Sequence, residues 1–230
     1  MPRSLNLAQA DLARSIRTIY PNFRATRALY IDLEGSGDEN QAISMYWPMN
    51  AGPKRFSFAI APGKNQMLQA HHMETCLRDL GNGAGNPEHI VVFSQGLLVP
   101  GERHRLLAST QYDPWPHTEW VNLHYAVRRA TKLKKSIRIH RYAIHKNEKR
   151  VRYSLENLER EFGIKRHPEH RAHNNTYKDG LKGTMQVLRL IRKFQNQQIS
   201  NDEHKALIGY CRLDVKSMFD IARTCEKYEN

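Results

Sequence analysis

RALYIDLEG, residues 27–35, is an apolar run of the kind found in a buried strand, but two acids interrupt it. Side chains alternate along a strand, so Asp32 and Glu34 point to the same face, one beside the other. Burying an unpaired carboxylate costs several kcal/mol, so this pair needs a proton, a cationic partner or a metal ion. Mg²⁺ or Mn²⁺ suits such hard oxygen ligands. The alternative is an exposed strand end whose acids simply face water.

Further apolar runs, separated by turn residues, surround this segment. The runs at 28–33, 42–49 and 56–61, with GSGDENQ and NAGPKR between them, predict three consecutive antiparallel strands. The continuous apolar run within 88–94 predicts a fourth strand. Helical spacing predicts helices over 5–19, 65–80, 120–134, 155–162 after an N-cap at Ser154, 183–196 and 202–228. This order predicts an α/β fold in which helices flank a mixed sheet that begins with three antiparallel strands.

The carboxy-terminal helix carries a third acid in an unexpected place. In ALIGYCRLDVKSMFDIA, residues 206–222, Asp214 falls within the apolar stripe and Tyr210 lies one turn earlier. An acid that faces the core suits a metal site, and a phenol beside it suits the orientation of a water nucleophile. The alternative is that Asp214 hydrogen-bonds Tyr210 or an arginine such as Arg212.

The positive charge of the chain is concentrated in one segment. The chain has 36 Lys and Arg against 23 Asp and Glu, a net charge of +13, and residues 128–152 contribute +10 of it. Such a field attracts polyanions, so nucleic acid is the expected partner. The alternation in SIRIHRYAI predicts an exposed ribbon or arm; the alternative is a solvated helical face followed by a loop. The candidate phosphate contacts are Arg128, Arg129, Lys132, Lys134, Lys135, Arg138, Arg141, Lys146, Lys149, Arg150 and Arg152.

The composition excludes several classes of protein. Apolar residues make up 40% and charged residues 26% of the 230 residues, as in globular domains and unlike disordered chains. No apolar run approaches the roughly 20 residues that a membrane span requires, and no signal peptide is evident, so we expect a cytoplasmic protein without a membrane partner. Three cysteines without metal-ligand spacing suit reduced thiols.

Two of these motifs resemble the DEDD superfamily of 3'-5' exonucleases, in its tyrosine branch. YIDLEG is similar to the first motif of that family, and Tyr210-x-x-x-Asp214 is similar to the third. Residues 28–225 resemble, in order and spacing, predicted-exonuclease domains of bacterial proteins with a ribonuclease H-like fold. The resemblance implies that Asp32, Glu34 and Asp214 hold divalent metal ions and that Tyr210 positions the attacking water. It also implies an RNase H-like domain over 28–230, with a basic insertion at 128–152, after an N-terminal helix and linker over 1–27.

The second motif departs from the family pattern. No acid follows Phe93 in HIVVFSQGLLVPGERHRLLAS, residues 89–109, so Glu102 is the best candidate for the fourth ligand, which would allow two ions. Asn122 stands where the family has a further carboxylate. We therefore expect a metal-dependent nuclease, a 3'-5' exonuclease acting on single-stranded DNA or RNA. The alternatives are a catalytically decayed nucleic-acid-binding module and an adaptor that docks on an acidic protein.

Overall fold

The computed structural model describes residues 3–35, 40–49, 55–63, 66–81, 84–94, 101–144, 154–165 and 180–228. The strands are β1 (Ala28–Glu34), β2 (Ala42–Tyr46), β3 (Phe56–Ile60), β4 (His89–Val92) and β5 (Glu119–Asn122). The helices are α1 (Arg3–Ile19), α2 (Ala70–Leu80), α3 (Gly101–Thr110), α4 (Leu123–Arg129), α5 (Thr131–Ile144), α6 (Leu155–Glu161), α7 (Gly180–Gln195) and α8 (Asn201–Glu226).

One mixed sheet in the order β3-β2-β1-β4-β5 forms the centre of the fold. The first three strands are antiparallel neighbours, and β4 and β5 then run parallel to β1. This confirms the predicted α/β class and the antiparallel start of the sheet, and it is consistent with a ribonuclease H-like arrangement. The carboxyl ends of β1, β4 and β5 therefore lie at one edge of the sheet.

Helices cover both faces of the sheet. Alternate residues of β1 enter two cores: Tyr30 belongs to the cluster that contains α1, α4, α5 and α8, whereas Leu29 and Ile31 belong to the cluster that contains α2 and α3. This division follows from the twofold side-chain period of a strand. Asp32 and Glu34 share the parity of Tyr30, and α8 packs across β1, β2 and β3 on that face.

The fifth strand corrects one prediction. Helical spacing predicted a helix over 120–134, but Glu119–Asn122 pairs with β4, and α4 begins only at Leu123. Trp120 is buried in the core on one face and Val121 in the core on the other. Pairing with β4 therefore overrides the local helical pattern, because it lets adjacent residues fill both cores.

The helix α1 belongs to the same core as the sheet. Leu12 and Ile16 are buried together with residues of α4, α5 and α8. The helix ends before Pro21, as predicted, and the Tyr20 hydroxyl accepts a hydrogen bond from the backbone N–H of Asn122 at 3.0 Å. The residues before β1 thus contribute directly to the packing near the sheet's carboxyl edge.

The basic segment, which was expected to form a ribbon, forms a helix within the residues that the structure describes. Leu133 and Ile137 are buried one turn apart on α5, so helical burial overrides the twofold alternation in the sequence. Asp11 of α1 caps this helix by accepting hydrogen bonds from the backbone N–H groups of Lys132 (2.7 Å) and Leu133 (3.4 Å). The helical alternative is correct up to Ile144, and residues 145–153 lie outside the described residues.

Several local predictions are confirmed. The Ser154 hydroxyl accepts a hydrogen bond from the backbone N–H of Asn157 and so caps α6. Gly163 follows α6 with φ of +67°, the left-handed conformation that glycine adopts most readily. In the portions of the chain that the structure covers, none of the helices combines the length and apolar character needed to cross a bilayer.

Candidate metal centre

Two acids emerge from β1 toward α8. Tyr30, two residues before Asp32, is fully buried and packs edge-on against Phe219 of α8 at a centroid distance of 5.6 Å. The same alternation turns Asp32 and Glu34 toward α8, and both side chains keep partial solvent access. The strand thus delivers two carboxylates to the interface between the sheet and the last helix.

The helix α8 supplies the third acid. Its start is fixed by a capping box in which Ser200 and Glu203 exchange hydrogen bonds with each other's backbone. From there the helical period buries Cys211, Asp214 and Met218 on one face, and Asp214 is only 7% exposed. Carboxylate oxygens of Asp32, Glu34 and Asp214 all lie within 4.8 Å of one another. The structure therefore brings together the three acids that the sequence singled out.

The electrostatics of the three acids favour the protonated form of Glu34. Burial raises the pKa of Glu34 well above its ordinary range, and the neighbouring Asp32 and Asp214 raise it further, while the Arg105 guanidinium acts in the opposite direction. The buried Cys211 thiol also has a pKa well above its usual value, from burial first and then from the same three acids. The raised pKa of Glu34 means that the cluster binds a proton, or another cation, more tightly than an isolated carboxyl does.

The donor set fits a hard divalent cation. Three carboxylates from two elements offer only oxygen ligands, which Mg²⁺ and Mn²⁺ prefer. A fourth oxygen lies close by: Ser44 of β2 is the register partner of Asp32 and is only 1% exposed. Its hydroxyl oxygen is shielded from solvent and makes no hydrogen bond. An unsatisfied buried hydroxyl beside the acids is a ready partner for a ligand or a water.

Glu102 lies on α3, outside the group of three. Its oxygens are not among those that meet within 4.8 Å of one another. The start of α3 nevertheless lies near the sheet's carboxyl edge, because a Cβ at Gly101 would be 3.8 Å from the Ser94 hydroxyl, just beyond β4. One Glu102 oxygen is shielded from solvent without a hydrogen-bond partner. A role for Glu102 as fourth ligand stays a prediction.

Tyr210 lies at the border of the site. It is partly buried and packs against the apolar cluster that contains Ala42, the residue paired with Glu34 across β1 and β2. Its position one turn before Asp214 matches the predicted helical spacing. Its role in orienting a water stays a prediction.

Asn122 is a structural clamp in this fold. The side chain is fully buried, and its carbonyl oxygen accepts hydrogen bonds from the backbone N–H groups of Ser94 (3.2 Å) and His124 (3.1 Å). Its amide donates to the Ser94 carbonyl at 3.3 Å. Asn122 therefore joins the end of β4 to the junction between β5 and α4. A carboxylate could not donate to that carbonyl when ionised, so the amide suits this position.

The structure describes the side chains of some of the predicted phosphate-contacting residues but not of others. Exposed side chains on α4 and α5 are Arg128, Arg129, Lys132 and Lys135, and Lys134 is partly buried. The helix α1 packs against both helices and adds exposed Arg14 and Arg17. We call these exposed residues of α1, α4 and α5 the basic surface. Arg138 and Arg141 lie on α5 where only the backbone is described, and Lys146, Lys149, Arg150 and Arg152 lie outside the described residues.

Two residues near the site escaped the sequence analysis. Ser44 is a polar residue within the apolar strand AISMY, which is a detectable signal, but its place opposite Asp32 depends on strand register. Arg105 cannot be distinguished in the sequence, because α3 carries three other titratable residues around it.

Comparison with protein-family models, curated proteins and solved structures found no match to this chain.

Proposed function

We propose that this protein is a metal-dependent nuclease that hydrolyses phosphodiester bonds, a 3'-5' exonuclease acting on single-stranded DNA or RNA. The observation that carries the proposal is the meeting of Asp32, Glu34 and Asp214 within 4.8 Å, although the first and the last are 182 positions apart in the chain. Folding concentrates three carboxylates at a cost in repulsion, which a bound divalent ion offsets.

Each residue has a distinct task in this proposal. Asp32, Glu34 and Asp214 hold Mg²⁺ or Mn²⁺, and Glu102 completes the set if a second ion binds. The ion supplies Lewis-acid stabilisation of charge on the phosphoryl oxygens and a more acidic water. Tyr210 orients the attacking water by a hydrogen bond. The attacking water loses a proton to solvent as its oxygen bonds to phosphorus, the phosphorus–oxygen bond to the leaving sugar breaks, and the leaving oxygen takes up a proton from solvent.

The basic surface supports a polyanionic substrate. The helix α4 begins at the carboxyl end of β5, which lies on the same edge of the sheet as Glu34, and Arg128 and Arg129 lie in its last turn. Exposed cations on elements other than those that carry the acids can hold the phosphate backbone without competing for the metal ligands. Binding should therefore weaken steeply as the salt concentration rises.

The test follows degradation of end-labelled single-stranded DNA and RNA oligonucleotides with Mn²⁺ and with EDTA. We expect metal-dependent shortening by the wild type, and none by Asp32→Ala or Asp214→Asn. The matched control is Asp220→Asn, since Asp220 lies on the same helix but pairs with Lys216 at 2.6 Å. Equal cleavage by the wild type and both site variants contradicts the proposal.

A binding module without catalysis is the second candidate. The position of Glu102 outside the three meeting acids favours it, because a two-ion site needs more ligands than three carboxylates supply. Salt-dependent oligonucleotide binding without turnover, in both Mg²⁺ and Mn²⁺, selects this candidate.

A further inference from the structure

The helix α3 crosses the edge of the sheet at the acids. Its first residue, Gly101, lies near the Ser94 hydroxyl beyond β4, and Ser109 near its other end accepts a hydrogen bond from the Asn40 side chain at 3.2 Å. Asn40 lies just before β2. Because β1 runs between β4 and β2, the middle of α3 passes the carboxyl end of β1, where Glu34 lies.

Arg105 occupies the middle of that helix. It is one turn before the partly buried Ser109 and adjacent to Leu106, which packs in the core together with Leu33 of β1. The side chain is partly buried, and its Nε–H is shielded from solvent without a hydrogen-bond partner. An unsatisfied donor in a partly buried guanidinium is costly, so a ligand that accepts a hydrogen bond from this group gains free energy.

Arg103, two residues earlier on the same helix, differs from Arg105 in its hydrogen-bond partners. Arg103 has an unpartnered Nε–H as well, but its terminal nitrogen donates to the Asp113 carboxylate at 2.8 Å and to the Pro116 carbonyl at 3.2 Å, so that end of its guanidinium is engaged within the protein. Arg105 instead acts electrostatically on Glu34, one of the three acids. Once a divalent ion balances those acids, the positive charge of Arg105 becomes available to an anion at the same edge.

We propose that Arg105 binds a phosphate group of the ligand beside the metal ion, so that the site recognises phosphorylated nucleotides rather than metal alone. This inference rests on the proposed function, because it assumes that the three acids hold a divalent ion. A guanidinium suits the task, since its planar fork gives paired hydrogen bonds to phosphate oxygens and it stays charged at all relevant pH values. Arg105 is thus a substrate-binding residue for the same centre.

The experiment measures binding of a nucleoside 5'-monophosphate, thymidine monophosphate, by calorimetry in saturating Mn²⁺. We expect Arg105→Gln to weaken that affinity about 10- to 100-fold, the loss typical for a hydrogen bond to a charged group. Its affinity for Mn²⁺ alone should stay unchanged or increase, because a positive charge near the ion is removed. Arg105→Lys should recover part of the affinity for the nucleotide.

The matched control is Arg78→Gln, which removes an exposed guanidinium from α2. In the wild type this group donates a hydrogen bond to the Thr75 hydroxyl, three residues earlier, at 3.3 Å. This variant should bind nucleotide as the wild type does. The inference is overturned if Arg105→Gln binds nucleotide like the wild type, if it loses Mn²⁺ affinity in parallel, or if the wild type binds no nucleotide with Mn²⁺.

The failure of the proposed function is read separately, from oligonucleotide turnover by the wild type. Metal-dependent nucleotide binding that needs Arg105, without any cleavage, leaves the Arg105 site in place and removes the nuclease. Cleavage by the wild type, together with normal nucleotide binding by Arg105→Gln, supports the nuclease and removes the Arg105 site.

Discussion

Neutralising Asp214 should stabilise the metal-free protein and remove its response to metal. Oxygens of Asp214 lie within 4.8 Å of both Asp32 and Glu34. At this separation two ionised groups repel by about 3–4 kcal/mol for an effective dielectric constant near 20. Protonation limits the penalty, since holding a proton at pH 7 on a carboxyl of ordinary pKa costs about 4 kcal/mol. Asp214→Asn also loses hydrogen bonding, so we expect a net gain of about 1–2 kcal/mol.

The sign of the pH dependence follows from Glu34. Its pKa is raised in the folded protein, by burial first and then by Asp32 and Asp214. The folded state therefore holds this proton more tightly than the unfolded state, and stability is lost as the pH rises from the ordinary carboxyl range through the raised pKa. The advantage of Asp214→Asn should accordingly be largest near neutral pH and disappear in acid, where the acids are protonated in both states.

The assay is urea unfolding followed by circular dichroism, in EDTA and in Mn²⁺, from acid to neutral pH. Mn²⁺ at about 100 times its Kd should stabilise the wild type by about 2.7 kcal/mol and leave Asp214→Asn unaffected. The control Asp220→Asn, which loses a partly exposed pair with Lys216, should change stability by about 0–1 kcal/mol and keep the metal response. Loss of stability by Asp214→Asn in EDTA, together with an intact response to Mn²⁺, would refute the reasoning.

Three further changes test other parts of the site and the fold. Tyr210→Phe should lower metal-dependent turnover about 100-fold, as for loss of a group that assists proton transfer, with the stabilisation by Mn²⁺ unchanged; equal turnover removes Tyr210 from the mechanism. Asn122→Ala should cost about 2–4 kcal/mol in urea unfolding, because it leaves buried backbone groups of Ser94 without partners; a loss below about 0.5 kcal/mol contradicts the clamp. Asp11→Ala should cost about 1 kcal/mol by removing the cap of α5 at Lys132, and unchanged thermal unfolding argues against that cap.

The sequence predicted those features of the site that depend on the periodicity of a single strand or helix. The alternation of β1 places Asp32 and Glu34 on one face, and the helical period of α8 places Asp214 on the buried face, so each orientation follows from local geometry. The four local strand patterns and the caps at Ser154 and Gly163 were predictable for the same reason. Each depends on residues within a few positions of one another.

Long-range packing determined the features that the sequence did not predict. Strand register placed Ser44 opposite Asp32, and the crossing of α3 over the end of β1 placed Arg105 beside the acids. Pairing with β4 made a strand of Glu119–Asn122, and burial of Leu133 and Ile137 made a helix of an alternating basic segment. Local periodicity could not choose these outcomes, because short segments satisfy both periods equally well and only contacts with distant residues separate their free energies.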